Sequence, residues 1–316
     1  MNLEEVIAGV RAGERRPVGR AISIAERLGP DARRLVAALH PDTGRAWRVG
    51  LTGPPGVGKS TLASALVRHL READQRVAMV SVDPTSPYTR GAVLGDRIRL
   101  TDHFLDPGVF IRSMASRGHL GGLAEATADA VLVLDAAGFD AVIVETVGSG
   151  QNEVEVRALT ETVVLALMPG SGDAIQALKA GMMEIPDVIA ITKADRPGVD
   201  LLQADLRSAL SLVPGGPWTP PIVPVRAREG IGADALWEEV RRHRAFLAEG
   251  DRLAERQRDG LARQLRSLAL DRLGRRLEEA SDARMVEELI DEVLARRLDP
   301  PGAVDRVLER AGLAAG

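Results

Sequence analysis

Short apolar runs alternate with stretches of helical periodicity through the middle of the chain. Seven runs of four to seven residues are rich in Val, Ile and Leu, and this length and composition predict buried β-strands. They lie at residues 49–52, 77–82, 109–113, 141–145, 162–168, 188–192 and 222–225. Helical spacing predicts helices between them, including residues 60–73, 123–137 and 201–212. The alternation predicts an α/β fold, in which helices cover both faces of a mostly parallel sheet.

The first 45 residues are predicted to be helical. Residues 21–28 and 31–40 each place aliphatic side chains on one face. Gly29 and Pro30 are expected to separate these two helices, and Pro41 to end the second. Nothing in this segment has a catalytic pattern, so we expect it to serve packing.

The last third of the chain is also predicted to be helical, and its composition shifts to Arg, Glu, Leu and Ala. Leu261, Leu265 and Leu268 keep helical spacing, and a further helix around Leu289 is predicted to stop at Pro300. The arginines of this region fit a solvated helical face, and a site for an acidic partner is the alternative. We therefore predict an N-terminal helical extension at 1–45, an α/β domain at 46–248 and a C-terminal helical arm at 249–316.

Composition excludes several classes of function. A net charge of −4 and a pI of about 5.9 do not suggest a general nucleic-acid binder. The absence of cysteine rules out disulfides, thiolate metal sites and cysteine nucleophiles, and the five histidines are scattered. The N-terminus lacks a basic secretory pattern, and no apolar run is long enough to span a bilayer. We expect a cytoplasmic protein with no membrane partner.

Residues 53–61 fit the phosphate-binding pattern G-x-x-x-x-G-K-[ST], with an apolar strand before them and a helical pattern after them. Glycines let backbone N–H groups point at phosphate oxygens, and the helix N-terminus adds positive potential. We expect Lys59 to contact the β- and γ-phosphates, Ser60 to ligate Mg²⁺ and Thr61 to contact the α-phosphate. The predicted nucleotide-binding residues here are Gly53, Pro55, Gly56, Val57, Gly58, Lys59, Ser60 and Thr61.

Acidic residues that follow the predicted strands are candidate magnesium groups. Glu145 ends an apolar strand and opens the sequence Glu-Thr-Val-Gly, where a carboxylate would hold Mg²⁺ directly or through water. Asp83 follows its strand directly, and Asp96 closes a glycine-bearing loop. The alternatives are a solvated acid at Glu145, a turn opener at Asp83 and a helix cap at Asp96. Together with Ser60 these three carboxylates form the predicted metal set.

Residues 192–195, with the sequence Thr-Lys-Ala-Asp, are similar to a guanine-reading loop. Asp195 could accept hydrogen bonds from guanine N1–H and the 2-amino group, which adenine does not offer. Lys193 could lie over the base, and Thr192 in place of the usual asparagine is expected to weaken the bonds that tether the loop. In the next loop, Ala227 could offer its N–H to guanine O6, beside Arg226. The alternative for residues 192–195 is a polar turn.

The chain resembles the MeaB/ArgK family of G proteins, which includes the methylmalonic aciduria type A protein. The most specific strings are Arg-Gly-x-Leu-Gly-Gly at 117–122 and Glu-Thr-Val-Gly-x-Gly-Gln at 145–151. Further matching segments are residues 53–61, 82–86, 94–96, 169–173, 179–181 and 192–195. The resemblance implies a P-loop NTPase fold of the SIMIBI type and a GTPase that works as a homodimer. It also implies a chaperone that gates cofactor loading and protects an adenosylcobalamin-dependent acyl-CoA mutase.

The resemblance also assigns residues. It implies that Mg²⁺ binds with GTP or GDP, whereas adenosylcobalamin belongs to the partner mutase. Gly148 and Gln151 match a second switch, and Lys179 matches a lysine of a third switch that can swing toward the nucleotide. With Lys59, these three residues form the predicted catalytic set. Ala174, Ala180 and Arg226 depart from the family pattern, which bears on switch signalling rather than on nucleotide binding.

Three other functions fit parts of the sequence. A P-loop kinase or transport ATPase would use the same phosphate loop, but Asp195 favours GTP over ATP. A metal-delivery GTPase would need soft or imidazole ligands, which the absence of Cys and of a His-rich tract argues against. A nucleotide-regulated scaffold would bind without hydrolysis. No residue is an evident water-positioning group, so we expect slow intrinsic hydrolysis.

Overall fold

The computed structural model describes residues 1–83, 103, 105–115, 125–146, 152–170, 186–212, 216–280 and 283–313. The chain forms two compact units, Met1–Arg263 and Gln264–Gly316. The predicted division at residues 45 and 248 stays a prediction. Among the described residues, no helix combines the length and the apolar character that a membrane crossing requires.

The first unit contains a seven-stranded sheet in the order β3-β2-β4-β1-β5-β6-β7, and every neighbouring pair is parallel. The strands are β1 Trp47–Thr52, β2 Val77–Asp83, β3 Val109–Ala115, β4 Ala141–Thr146, β5 Thr162–Leu167, β6 Val188–Ile191 and β7 Ile222–Pro224. The predicted α/β fold is therefore confirmed, and each predicted strand is observed with its ends moved by at most two residues.

Helices cover both faces of this sheet. They are α1 Leu3–Arg11, α2 Arg15–Ala25, α3 Pro30–Leu39, α4 Lys59–Glu72, α5 Glu125–Ala136, α6 Asn152–Leu159, α7 Val199–Leu212 and α8 Ala233–Ala248. Strand β4 shows why both faces are covered. Val142 and Val144 enter the core formed with α1, α2, α3 and α5, whereas Ile143 enters the core formed with α4 and α8. A strand that is apolar at successive positions must be buried on both sides, because successive side chains point to opposite faces.

Two prolines that the sequence predicts as breaks between helices are the first residues of the helices that follow. Pro30 is the first residue of α3, where its missing N–H costs nothing because that group has no partner within the helix. Helix α9 spans Arg252–Ala280, and the second unit continues with α10 Ala283–Leu294 and α11 Pro300–Arg310. The helix around Leu289 therefore ends at Leu294, before the stop expected at Pro300, and Pro300 begins a new helix. Asp299 caps this helix, α11, by accepting from the Gly302 N–H at 2.8 Å.

The central position of β1 determines where the phosphate loop lies. Strand β1 pairs with β4 on one side and with β5 on the other. The carboxyl ends of parallel strands share one edge, so the loops that follow β1 and β6 and the end of β4 meet there.

Candidate nucleotide-binding site

A cavity with a volume of about 800 Å³ lies at this edge of the sheet. It is lined by Pro55, Gly56, Val57, Gly58, Lys59, Ser60, Thr61, Glu145, Thr192, Lys193, Asp195, Arg196, Arg226, Ala227, Arg228 and Glu229. Five of these side chains are basic and three are acidic, which suits a polyanionic ligand. Most of the predicted nucleotide residues are thus brought together in one cavity.

The phosphate loop connects β1 to α4 through glycines in the left-handed region. Gly53 has φ of 138°, and a Cβ there would lie 2.1 Å from the carbonyl oxygen of Ala166 on β5. Gly58 has φ of 100° and precedes the first residue of α4. Any larger residue at Gly53 would collide with the neighbouring strand, so the loop can follow this path only with glycine. Gly53 packs against β5 and does not line the cavity itself.

Lys59 is buried at the start of α4. Its Nζ donates to the carbonyl oxygens of Gly53 at 2.7 Å and Pro54 at 3.0 Å. The loop therefore surrounds the Lys59 side chain. Its positive charge lies at the N-terminus of α4, where anions are stabilised.

A buried oxygen cluster lies next to the loop. Ser60 Oγ donates to Glu145 Oε1 at 2.7 Å, and Ser81 Oγ donates to Glu145 Oε2 at 3.1 Å. Glu145 is only 7% exposed, and it reaches the cavity from the carboxyl end of β4. Carboxylate and hydroxyl oxygens are the ligands that Mg²⁺ prefers, so Ser60 and Glu145 fit a magnesium ion. Asp83 ends β2, and its side chain lies outside the described residues, as does all of Asp96.

Thr192 connects the phosphate loop to the predicted guanine loop. Its side chain is 1% exposed, and its Oγ1 lies 2.6 Å from the Val57 carbonyl oxygen and 2.9 Å from that of Leu167. The threonine therefore does tether the two loops, although it replaces the asparagine that the guanine-loop pattern usually carries.

Lys193 lies along the phosphate loop in a strained backbone conformation. Its φ is 51°, in the left-handed region that non-glycine residues rarely adopt. Its Nζ donates to the Gly56 carbonyl oxygen at 2.7 Å. Partial burial, with repulsion from Arg196 and Arg228, lowers the pKa of Lys193, and Asp195 opposes that shift. The stem thus forms a wall of the cavity, and Asp195 is exposed beside it.

The loop after β7 completes the far end of the cavity. The Ala194 N–H donates to the Val225 carbonyl oxygen at 3.2 Å, which holds the loops after β6 and β7 side by side. Arg226 pairs with Ile231 across a tight turn, and its guanidinium lies 3.6 Å from the Glu229 carboxylate. Ala227 is mostly buried and lines the cavity.

The predicted set omitted Arg196, Arg228 and Glu229, which also line the cavity. The sequence could have indicated these three residues, because they lie in polar loops directly after predicted strands. Four predicted residues, Asp96, Gly148, Gln151 and Lys179, lie outside the described residues. Within the described part of the chain, no group of three or more His, Asp or Glu side chains is arranged to hold a metal ion.

Comparisons with known proteins agree with this geometry. A protein of Pyrococcus horikoshii that is named as a GTPase is 43% identical over 98% of this chain and 98% of its own length. The mouse protein named methylmalonic aciduria type A homolog, mitochondrial, is 32% identical over 81% of this chain and 66% of its own length.

A solved structure described as a LAO/AO transport system kinase superposes with a TM-score of 0.73 at 28% identity, covering 98% of both chains. The sequence profile of the family described as methylmalonyl Co-A mutase-associated GTPase MeaB matches residues 18–282. That match covers most of the chain, including the whole cavity described above. The chain belongs to the MeaB family of P-loop GTPases.

Proposed function

We propose that the chain binds GTP and GDP in the 800 Å³ cavity, hydrolyses GTP slowly, and uses this cycle to control an acyl-CoA mutase. The observation that supports nucleotide binding most directly is the hydrogen bond from the Thr192 hydroxyl to the Val57 carbonyl oxygen. This bond joins the phosphate loop to the predicted base-reading loop, and the two loops line opposite ends of one cavity.

At the phosphate end, Lys59 exchanges its contacts with the Gly53 and Pro54 carbonyl oxygens for the β- and γ-phosphates. The backbone N–H groups of residues 56–60 and the N-terminus of α4 stabilise the remaining phosphate charge. Thr61 follows directly and contacts the α-phosphate. This part of the site recognises any nucleoside triphosphate, so it does not select the base.

Mg²⁺ is held by Ser60 and by the carboxylate of Glu145, with Asp83 and Asp96 as the other proposed members of the set. When bound, the ion supplies positive charge against the phosphate oxygens. Glu145 keeps the Ser60 hydroxyl oriented, because it accepts the hydrogen bond from that hydroxyl while Ser81 donates to its second oxygen. The family membership supports magnesium as the companion of the nucleotide.

At the base end, Asp195 accepts from guanine N1–H and the 2-amino group, while the Lys193 stem packs against the base. Ala227 offers its backbone N–H to guanine O6, and Arg226 lies beside it. A solved structure similar to this chain is described as a transport system kinase, which names a different reaction. Asp195 favours the GTPase because adenine has no matching pair of donors.

Hydrolysis requires little covalent chemistry from the protein, because positioning and charge neutralisation lower most of the barrier. Lys59 supplies fixed charge, and we assign Gly148, Gln151 and Lys179 to switch segments that complete the site. Since no described residue of the cavity is an evident base for the attacking water, we propose that intrinsic turnover is slow and that a partner accelerates it.

The partner that we propose is an adenosylcobalamin-dependent acyl-CoA mutase of the methylmalonyl-CoA mutase class. The family description supports it, since it names GTPases associated with methylmalonyl Co-A mutase. The chain gates cofactor loading and protects the mutase, and adenosylcobalamin stays with the mutase. We also propose that the protein is cytoplasmic and homodimeric, with residues 249–316 as the dimerisation arm.

Base selection can be tested with Asp195→Asn. The variant should lose about 100-fold in GDP affinity and gain affinity for xanthosine diphosphate, whose N1 and C2 groups match an amide. Titration calorimetry with GDP, XDP and ADP measures the three affinities. Asp200→Asn is the control, because Asp200 is an exposed acid at the start of α7 and outside the cavity. Equal affinity of the unmodified protein for GDP and ADP would exclude the proposed base reading.

Partner activation can be tested by measuring GTP hydrolysis with increasing methylmalonyl-CoA mutase. We expect a slow basal rate that rises about tenfold or more at saturation, because ordered switch segments lower the activation barrier. Each factor of ten in rate corresponds to about 1.4 kcal/mol of that barrier. Lys59→Ala is the control and should hydrolyse nothing. A fast basal rate that the mutase leaves unchanged would contradict this proposal, while nucleotide selectivity would remain to support GTP binding.

A further inference from the structure

A second cavity lies at the amino edge of the sheet, opposite the nucleotide site. Its volume is about 650 Å³, within the range of small-molecule sites. Trp47 begins β1 and lines the cavity, and Asp140 lies directly before β4. Helix α8 forms the opposite wall. Because all the strands are parallel, their amino ends form the edge away from the phosphate loop.

The walls combine the edges of aromatic rings with guanidinium groups. Trp47, Phe139 and Trp237 contribute the aromatic edges, since these residues are only 5%, 4% and 7% exposed, and Arg45, Arg241 and Arg244 contribute the charge. The Arg244 guanidinium carbon lies 4.8 Å from the centre of the Trp47 ring, a distance at which a cation is attracted to the face of the ring. Stacking of this kind holds the guanidinium in place while leaving its N–H groups in the plane free to donate.

The carboxylates near this cavity already have donors. Asp140 accepts from the Arg76 backbone N–H at 2.7 Å. Asp135, in a smaller neighbouring cavity, accepts from three consecutive backbone N–H groups, those of residues 44–46. Glu161, in the same smaller cavity, pairs with Arg48. Among the described residues, none of these acids lies within 4 Å of the guanidinium nitrogens of Arg45, Arg241 or Arg244.

The arginines are less fully engaged. Arg241 pairs with Glu238 at 3.0 Å, and the Arg45 side chain donates to the Asp42 carbonyl oxygen at 3.3 Å. Within the part of the chain that the structure describes, Arg244 makes no hydrogen bond or ion pair, only its contact with Trp47. The cavity thus has an excess of positive charge next to aromatic surface.

We propose that this cavity binds a small organic anion that carries an aromatic ring, with its carboxylate or phosphate on Arg244 and Arg45 and its ring against the aromatic edges and Val240. Arginine can bind either anion with two parallel hydrogen bonds, and edge-to-face contact is a favoured arrangement of aromatic rings. The site is separate from the nucleotide cavity, so it does not depend on the function proposed above.

The test uses the full chain saturated with GDP and Mg²⁺, so that the first cavity is filled. Titration calorimetry with 1-naphthyl phosphate and with 1-naphthoate distinguishes the two anionic groups, and 1-naphthylmethanol and inorganic phosphate test the ring and the charge alone. We expect at least one of the two naphthyl anions to bind about tenfold or more tightly than either control ligand, as expected for one charge-assisted contact.

Arg244→Gln should weaken that binding about tenfold, and Arg244→Lys should restore part of it because the charge returns without the planar fork. Arg242→Gln is the matched control, since Arg242 lies on the same helix, pairs with Glu239 at 2.8 Å and does not line the cavity. Both arginines are exposed, so neither change should unfold the protein. Absence of binding by both anions, equal binding of the neutral alcohol, or unchanged affinity in Arg244→Gln would overturn the proposal.

Discussion

Thr192 illustrates how much one buried hydroxyl can contribute to a binding site. Its hydroxyl donates to a carbonyl oxygen of the phosphate loop from the proposed base-reading loop, as the Lys193 side chain also does. The sequence pattern predicted a weak tether, because threonine has a shorter side chain than asparagine and only one donor. The structure shows that the distance is short enough for the hydroxyl to reach Val57, and that it also lies near the Leu167 carbonyl oxygen.

Replacing this hydroxyl should therefore loosen the cavity. Thr192→Val keeps the shape but removes the hydroxyl that donates to the buried Val57 carbonyl oxygen, which we expect to cost about 1–3 kcal/mol of unfolding free energy. The same change should speed the release of a fluorescent GDP analogue. Thr192→Ser retains the hydroxyl and is the control. Urea unfolding and stopped-flow release measure the two effects, and equal behaviour of the Val and Ser variants would exclude the tether.

At the scale of elements, a buried polar network connects β1, β5, α8 and α9. Trp47 Nε1 donates to Thr162 Oγ1 at 3.1 Å, and this hydroxyl lies 2.9 Å from His243 Nδ1. Asp187 lies 3.5 Å from His243 Nε2 and 2.9 Å from Arg256 on α9. The network fixes the beginning of α9 to the sheet through paired charges rather than through apolar packing alone.

His243 makes this network sensitive to acid. Burial is the largest cause that lowers the pKa of His243 to about 4, with repulsion from Arg256 and Arg157, while Asp187 acts in the opposite direction. Between this value and the ordinary 6.5, the unfolded chain binds more protons than the folded one, so stability rises with pH. The contribution is complete above about pH 6.5 and is lost as the pH falls toward 4.

We expect the lowered pKa of His243 to reduce the free energy of unfolding by about 3 kcal/mol between pH 7 and pH 4. Each unit of difference between the folded and unfolded pKa contributes about 1.4 kcal/mol. His243→Gln cannot take up the proton, so its stability should fall less over the same interval. Chemical unfolding at several pH values, with the difference taken between the two proteins, isolates this residue from the carboxylates. Parallel curves for both proteins would show that His243 does not titrate in this way.

At the scale of the whole molecule, exposed apolar side chains are concentrated in the second unit. Seven of the thirteen large hydrophobic residues that are exposed among those described lie beyond Arg263. They are Leu265, Leu270, Leu273, Val286, Ile290, Leu294 and Val304. Exposed apolar surface of this kind often marks a protein–protein interface. It supports the proposal that residues 249–316 are a dimerisation arm.

A chain that ends at Arg263 tests this proposal. It keeps the contact between Arg256 and Asp187 and removes the second unit, so we expect it to stay folded. The full chain should be a dimer and the shortened chain a monomer. Light scattering after size-exclusion chromatography measures both masses, and circular dichroism checks the fold. A shortened chain that remains a dimer would assign self-association to the first unit.

The α/β fold, the seven strands and the phosphate loop follow from the amino-acid sequence alone. These depend on local properties: apolar runs make strands, helical spacing makes helices, and glycines permit the left-handed turns of the loop. The residues at the strand ends could also be named in advance, because parallel strands bring their carboxyl ends to one edge.

Which of these residues meet, and which contacts hold them, depends on tertiary packing. The bond from Thr192 to Val57 joins positions 135 apart in the chain, and the contact between Asp187 and Arg256 joins positions 69 apart. The stacking of Arg244 on Trp47 likewise depends on how α8 packs against β1. Such contacts have no local signature, because the side chains involved have many possible partners and packing alone selects one.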